Sequence, residues 1–162
     1  MQRYFDVLTE TFMVRQLPSW HENVAKRQVK APKVFVRDSG VLHALATARE
    51  IDVHPKVGAS WEGFALNAVV ARLQAQPEEC FFWATHSAAE LDLLVVRGNQ
   101  RLGFEFERST TPAATRSMHV AVEDLRLRRL CVVHAGDRAF GLARRIRALP
   151  LSRILEELEP LG

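Results

Sequence analysis

The feature that most constrains the fold is a pair of β-forming runs separated by Gly98-Asn99. Two residues of this kind between apolar runs are typical of a β-hairpin, and glycine in the first position favours a type II′ turn. We predict strands at Glu90–Val96 and Arg101–Ser109. If Gly98-Asn99 is the loop, Arg97 pairs with Gln100, and this one pair sets the register of the whole hairpin.

The same register brings four carboxylates together. Counting outward from the turn, Asp92 lies opposite Glu105, and Glu90 lies opposite Glu107. Side chains that face each other in this way have β-carbons about 5 Å apart, and like charges there are destabilising. A divalent cation, a basic side chain or raised pKa values would have to compensate. The sequence therefore indicates an acidic cluster with a counter-charge.

A solvated acidic strand face is the alternative, because hairpin register can slip by one residue. Strand alternation puts Leu94, Val96 and Gly103 on the face that carries Asp92 and Glu105. A face that mixes leucine, valine and glycine with carboxylates is more typical of a covered sheet with an acidic end.

The remaining pattern alternates strands and helices, which indicates an α/β fold with a mixed central sheet flanked by helices. The predicted helices and strands, in chain order, are helix 1–11, strand Phe12–Leu17, strand Lys33–Arg37, a helix capped by Asp38 or Ser39 that ends near Arg49, a helix over 61–75 capped by Ser60, strand Cys80–Thr85, the hairpin, a helix from Pro112 to about Leu125, strands Leu130–His134 and Ile146–Leu149, and a helix capped by Ser152 that ends near Leu158.

Glu62 stands out because it is the second residue of its predicted helix, yet Leu66, Val69 and Leu73 follow at helical spacing on its side. A carboxylate that leans toward apolar packing is a candidate functional group. The alternative is a favourable interaction with the partial positive charge of the helix N-terminus, worth up to about 1 kcal/mol.

Composition limits the class of protein. The chain has 162 residues, a formal net charge of +3 and a pI near 9.2, a balance that suits a polyanionic partner without requiring one. Cys80 and Cys131 lie in apolar runs and are expected to be buried thiols. The sequence has no apolar run as long as the roughly 20 residues of a membrane span, and no signal-peptide core. We expect a cytoplasmic protein with no membrane partner.

Four segments carry a family resemblance: KVFVRDSGVLHAL at 33–45, GASWEGF at 58–64, FWATHSAAELDLL at 82–94 and GFEFERS at 103–109. An acidic helix residue, an aspartate on one strand and an acidic residue on the next resemble the restriction-endonuclease-like, or PD-(D/E)xK, fold. Nearly the whole chain resembles, more specifically, the uncharacterised domain that follows the AAA+ module in a large prokaryotic ATPase family.

The resemblance implies a set of site residues. Glu62 would be the helix acid, Asp92 and Glu105 the metal ligands, and the backbone carbonyl of Phe106 a further ligand. Mg²⁺ or Mn²⁺ would be the cofactor.

At position 107 the family pattern has a lysine that stabilises charge on the attacked phosphate, but this chain has Glu107, which has the opposite charge. Arg108 is on the other face of the strand by alternation and cannot replace that lysine. The expected nuclease site, Glu62, Asp92, Glu105 and Glu107, is therefore degenerate.

The resemblance also implies two domains, a partial winged-helix segment at 1–50 and a restriction-endonuclease-like domain at 51–162. The sequence contains no phosphate-binding Gly-x-x-x-x-Gly-Lys-Ser/Thr loop, so no nucleotide is expected. The chain is expected to be a fragment or a remnant, and a AAA+ ATPase partner or a missing N-terminal portion would complete it.

Six basic or histidine side chains are candidates for nucleic-acid contact, with DNA favoured over RNA. They are Lys26, Arg27, Lys30, Lys33, His86 and Arg108. A solvated polar loop is the alternative for the first four. Three functions remain open: a nucleic-acid-binding or regulatory module of a AAA+ ATPase-like protein with a degenerate metal site, an active Mg/Mn-dependent deoxyribonuclease, and a protein-interaction domain without nucleic-acid binding.

Overall fold

In the computed structural model, residues 2–21, 31–38, 56–85 and 88–161 are described. The helices and strands are α1 (Gln2–Glu10), β1 (Val14–Leu17), β2 (Lys33–Val36), α2 (Lys56–Leu73), β3 (Cys80–Ala84), β4 (Glu90–Arg97), β5 (Gln100–Glu107), α3 (Arg116–Asp124), β6 (Arg129–His134), β7 (Phe140–Ala143), β8 (Ile146–Pro150) and α4 (Ile154–Glu157). The helix predicted to end near Arg49 lies outside the described residues.

A six-stranded mixed sheet forms the centre of the molecule, in the order β3-β4-β5-β6-β8-β7. The pairs β5–β6 and β6–β8 are parallel, and the other three pairs are antiparallel. The prediction of a mixed α/β sheet flanked by helices is confirmed. Strand β7 was not predicted, because Phe140–Ala143 is a short edge strand with little apolar alternation.

The hairpin register is confirmed. Arg97 pairs with Gln100, and the pairing continues outward as far as Leu93 opposite Phe104. Gly98 has a φ of 57°, a conformation that a primed two-residue turn requires and that glycine adopts without strain. The turn residues thus set the alignment of β4 with β5.

The prediction that side chains alternate strictly between the two faces of β4 is wrong, because the strand has an irregularity next to Asp92. Opposite β3, Leu94 pairs with Phe81 but Leu91 pairs with Trp83, so three steps along β4 match two steps along β3. Leu91 and Leu94 therefore pack in the same half of the core. Bulges of this kind bend a strand and redirect a side chain, and they are common beside functional sites.

Two layers of apolar side chains cover the two faces of the sheet. The layer beneath α2 includes Leu66, Val69, Leu73, Leu93, Val95 and Phe104. The layer beneath α3 includes Leu91, Leu94, Met118, Val122, Leu130 and Val132. Cys80 and Cys131 are buried free thiols, as predicted. No helix in the described ranges is long and apolar enough to cross a membrane.

Three predicted helix starts are wrong. Helix α2 begins at Lys56, so Ser60 is a buried residue within the helix and not its cap. Helix α3 begins at Arg116, after Thr115, whose hydroxyl accepts a hydrogen bond from the Met118 N–H at 3.2 Å, so Pro112 lies before the helix. Ser152 lies in the short 3₁₀ turn Leu151–Arg153 that precedes α4. Helix α3 thus begins at a true cap, Thr115, four residues after the helix was expected to begin.

The β1–β2 hairpin is a separate two-stranded sheet in which Leu17 pairs with Lys33. Beyond β1, the Trp20 N–H donates to the Phe82 carbonyl at 2.7 Å, and the Phe82 N–H donates to the Pro18 carbonyl at 3.0 Å. These bonds attach the hairpin to the edge strand β3.

Asn67 of α2 anchors the other end of the hairpin. Its side chain donates to the carbonyls of Val36 and Arg37 at 3.4 and 3.3 Å and accepts from Arg15 Nε at 3.0 Å. The assignment of residues 1–50 to a partial winged helix stays a prediction.

Candidate functional site

Asp92 lies at the irregularity of β4, where the strand parts from β5. Asp92 Oδ2 accepts the Phe106 N–H at 3.3 Å, a backbone donor from β5. Asp92 Oδ1 lies 3.2 Å from Lys33 Nζ. The Asp92 side chain is only 15% exposed, and both of its oxygens have donors.

Glu105 is in contact with Asp92, as the hairpin register predicted, and its side chain hydrogen-bonds the Asp92 carboxylate. Burial raises the pKa of Glu105 well above its ordinary value, and the charge of Asp92 and the hydrogen bond to it raise the pKa further. Glu90 adds to this effect and Lys33 opposes it. A hydrogen bond between two carboxyl groups needs a proton on one of them, and the raised pKa favours Glu105 as the group that carries it.

Glu62, on helix α2, also belongs to this cluster. Burial raises the pKa of Glu62 first, and the charges of Asp92 and Glu90 raise it further, while Lys33 lowers it. The alternative prediction, that Glu62 interacts with the helix N-terminus, is wrong, because Glu62 is the seventh residue of α2 and lies in its second turn. Its apolar surroundings, which the spacing predicted, account for the largest part of the pKa shift.

Lys33 is the basic residue of the cluster, a position that sequence reasoning missed. It begins β2, as predicted, and its ammonium contacts Asp92 and lies 5.6 Å from the centroid of the Phe82 ring. Its contact with nucleic acid stays a prediction. Lys33 and Asp92 are 59 residues apart in the chain, so no local spacing signals the contact. Of the three expected compensations, the cluster has two: a basic side chain and raised pKa values.

Three other residues singled out from the sequence lie on the hairpin strands or just beyond them. Glu90 is exposed at the start of β4, and Ser117 of α3 holds its backbone through two hydrogen bonds, at 2.9 and 3.0 Å. Glu107 is half-buried at the end of β5, where it pairs with His134 of β6. Arg108 is exposed just beyond β5. Lys26, Arg27, Lys30 and His86 lie outside the described residues.

The donor atoms decide which metal the cluster would suit. Among the described residues, no three His, Cys, Asp or Glu side chains are arranged to hold one ion together. The Asp92–Glu105 pair is a set of carboxylate oxygens, and Mg²⁺ is commonly bound by one or two carboxylates, with water and substrate phosphate as its other ligands. The pair therefore fits Mg²⁺ or Mn²⁺. The Phe106 carbonyl as a ligand stays a prediction.

Two protein families match the chain. Residues 57–154 match a family described as "Domain of unknown function (DUF4143)", and residues 1–52 match "Domain of unknown function (DUF8612)". The chain is 42% identical over 157 residues to "Uncharacterized protein Rv2008c" of Mycobacterium tuberculosis and to "Uncharacterized protein Mb2031c" of Mycobacterium bovis. These matches cover 95% of this chain and 35% of each relative, so the chain spans about a third of their length. No solved structure matches significantly.

Proposed function

We propose that this chain, which belongs to the DUF4143 family, binds Mg²⁺ or Mn²⁺ at Asp92 and Glu105 and, through that ion, the phosphate backbone of nucleic acid. It would act as a nucleic-acid-binding or regulatory module with a degenerate nuclease-type site. The observation that carries the proposal is the Asp92–Glu105 contact at the break between β4 and β5, with Lys33 as its basic neighbour.

The charge balance of the cluster supports a cation. The charges of Asp92 and Glu90 raise the pKa of both Glu62 and Glu105, and the charge of Lys33 lowers both. Holding several partly buried carboxylates together costs stability, since burial and like charges both disfavour their ionised forms. Such arrangements are most common where a ligand or a reaction needs them. A divalent ion would neutralise the excess charge that one ammonium leaves.

Position 107 favours binding over cleavage. A carboxylate there adds to the attraction for a metal but cannot stabilise negative charge that develops on a phosphate. The net charge of +3 suits a polyanionic ligand, with DNA as the expected partner. The relatives, of which this chain covers 35%, support a role as one module of a longer protein, and we expect that protein to be AAA+ ATPase-like.

An active Mg/Mn-dependent deoxyribonuclease is the second candidate, and one observation favours it. Lys33 Nζ, 3.2 Å from Asp92, supplies a positive charge at the site that position 107 lacks. If Lys33 does the work of the pattern lysine, the site retains all the charges that phosphodiester hydrolysis needs.

Melting in the presence of metal tests the site. Millimolar Mg²⁺ or Mn²⁺ should raise the melting temperature of the wild type, because a ligand that binds only the folded state stabilises it by mass action. Asp92→Asn should abolish this shift, whereas Asp124→Asn, an exposed carboxylate of α3, should retain it. A wild type without a shift, or an Asp92→Asn variant with a full one, would overturn the proposal.

Plasmid DNA with Mn²⁺ separates the candidate functions. Retention of DNA that weakens steeply with salt, without cleavage, supports the binding module, because phosphate contacts release counterions. Cleavage that Asp92→Asn abolishes supports the nuclease. A protein that retains no DNA at low salt would instead be the protein-interaction domain.

A further inference from the structure

We propose that Lys33 is a two-position residue: its ammonium neutralises Asp92 without metal, and a divalent ion displaces it toward a phosphate oxygen of the bound nucleic acid. This inference rests on the proposed function. It assigns to the β1–β2 hairpin a part in the site at the break between β4 and β5.

The first step is a conflict over one oxygen. Lys33 Nζ lies 3.2 Å from Asp92 Oδ1, and the Phe106 N–H occupies Oδ2 of the same carboxylate. An ammonium at that distance and a divalent ion on the same oxygen would lie within a few ångströms of each other, and their repulsion in a partly buried site is large. Metal binding at Asp92 therefore requires the ammonium to leave.

The second step is that the backbone of Lys33 is held while its side chain can move. Lys33 pairs with Leu17 in the hairpin, which Phe82 anchors on one side and Asn67 on the other. The Lys33 side chain is 32% exposed, twice as much as that of Asp92, so it enters the site from the solvent side. A lysine carries its charge on a flexible four-carbon stem and can leave the carboxylate without a change in the strand.

The third step is the choice of lysine. The ion pairs at Glu79, Glu123, Glu156 and Glu157 all use arginine. Arginine suits a permanent, two-point contact with a carboxylate, whereas a lysine ammonium is a single compact charge that exchanges partners more readily.

The fourth step gives the destination of the displaced ammonium. Its four-carbon stem would keep it near Asp92, on the more exposed side of the carboxylate, within reach of a phosphate held by an ion there. The ligand class that this placement suits is a phosphodiester.

The test measures two properties with opposite expected signs. Calorimetric titration of Mn²⁺ should give roughly threefold or more tighter binding to Lys33→Met than to the wild type, because a competing, partly exposed charge is gone. In the presence of Mn²⁺, Lys33→Met should retain DNA more weakly than the wild type. The slope of the logarithm of the DNA-binding constant against the logarithm of salt concentration should also become shallower by about one, because one phosphate contact is lost. Lys33→Arg keeps the charge and favours a lasting two-point contact with Asp92, so it should not tighten Mn²⁺ binding.

Arg138→Met, which removes an exposed charge elsewhere, is the matched control and should leave Mn²⁺ affinity unchanged. Lys33→Gln repeats the experiment if Lys33→Met does not melt cooperatively. Unchanged or weaker Mn²⁺ binding by both variants, or an unchanged salt slope, overturns the inference. If Asp92→Asn abolishes Mn²⁺ binding while the Lys33 variants do not tighten it, the proposed function stands and the inference falls. No Mn²⁺ binding by any variant overturns both.

Discussion

The two ends of strand β4 hold carboxylates in opposite ways. At its last residue, Arg97 donates to both oxygens of Glu79, at 2.7 and 2.8 Å, and also to the carbonyls of Gln74 and Leu161. The hydrogen bond from Arg97, followed by one from the Gln76 backbone, lowers the pKa of Glu79 to about 2.

At the other end of the strand, Asp92, Glu105 and Glu62 share one ammonium, and burial raises the pKa of Glu105 and Glu62. The difference lies in the number of donors per carboxylate. The Glu79 end is a structural lock that joins β4 to the segments before and after it. The Asp92 end costs stability, because burial and like charges disfavour ionised carboxylates, and the proposed ion would offset that cost.

Arg97→Met should break the structural lock and give the largest loss of stability among the charge substitutions considered. It leaves the Glu79 carboxylate and the Leu161 and Gln74 carbonyls without their guanidinium donor. Unfilled hydrogen-bonding groups cost more than the bond itself contributes. Thermal melting should show a drop of many degrees, against little change for Arg138→Met. Equal melting temperatures for the two variants would show that the lock is not structural.

Glu105→Gln should change stability in the opposite direction from Arg97→Met, and should stabilise the protein at neutral pH without metal. The amide can donate to Asp92 permanently, whereas the wild-type carboxyl must hold a proton to do so. A gain of about 1–2 kcal/mol is in the range for relieving functional strain. Chemical denaturation in EDTA measures it, with Glu123→Gln as the exposed control. A destabilised Glu105→Gln would mean that Glu105 is ionised in the fold.

The pH dependence of stability should separate the two ends. The pKa of Glu105 is raised in the folded state, so the folded protein keeps the Glu105 proton to higher pH than the unfolded chain does. Glu105 therefore lowers the free energy of unfolding progressively as pH rises above the unfolded pKa near 4.5. The gain from Glu105→Gln should therefore vanish as pH falls to that value.

Glu79 has a lowered pKa, so its stabilisation is present above about 4.5 and is lost as pH falls toward 2. The penalty of Glu79→Gln should be full at neutral pH and shrink over that lower window. Denaturation curves from pH 3 to 8 check both, and parallel curves for the two variants would contradict the assignment.

The same comparison shows how far local sequence signals reach. Gly98-Asn99 sits between β4 and β5, so turn chemistry alone set their register as far as Leu93 opposite Phe104, next to Asp92 and Glu105. The irregularity beside Asp92 arises from pairing with β3, and no feature of β4 alone announces it. The mixed sheet was predictable because its longer strands carry β-forming apolar residues over five to eight positions, whereas the edge strand β7 has only four residues.

Long-range contacts account for the other errors. Lys33 reaches Asp92 across 59 residues through a hairpin anchored on α2 and β3, a placement that only the assembled fold determines. Helix α2 starts five residues earlier than its cap signal suggested, which moved Glu62 out of the first turn. Tertiary packing thus decided the surroundings of both residues.

The smallest expected effect comes from Glu107→Lys, which puts the pattern lysine back at the end of β5. Glu107 is half-buried at a strand end, so stability should change by no more than about 0.5 kcal/mol. Because Glu107 follows Glu105 at strand spacing, the new ammonium should face the cluster and weaken Mn²⁺ binding a fewfold, while Glu159→Lys, the same charge change on an exposed distant residue, should not. Unchanged or tighter binding by Glu107→Lys would place Glu107 outside the field of the metal site, and Lys33 would then be the basic residue on which any phosphate chemistry depends.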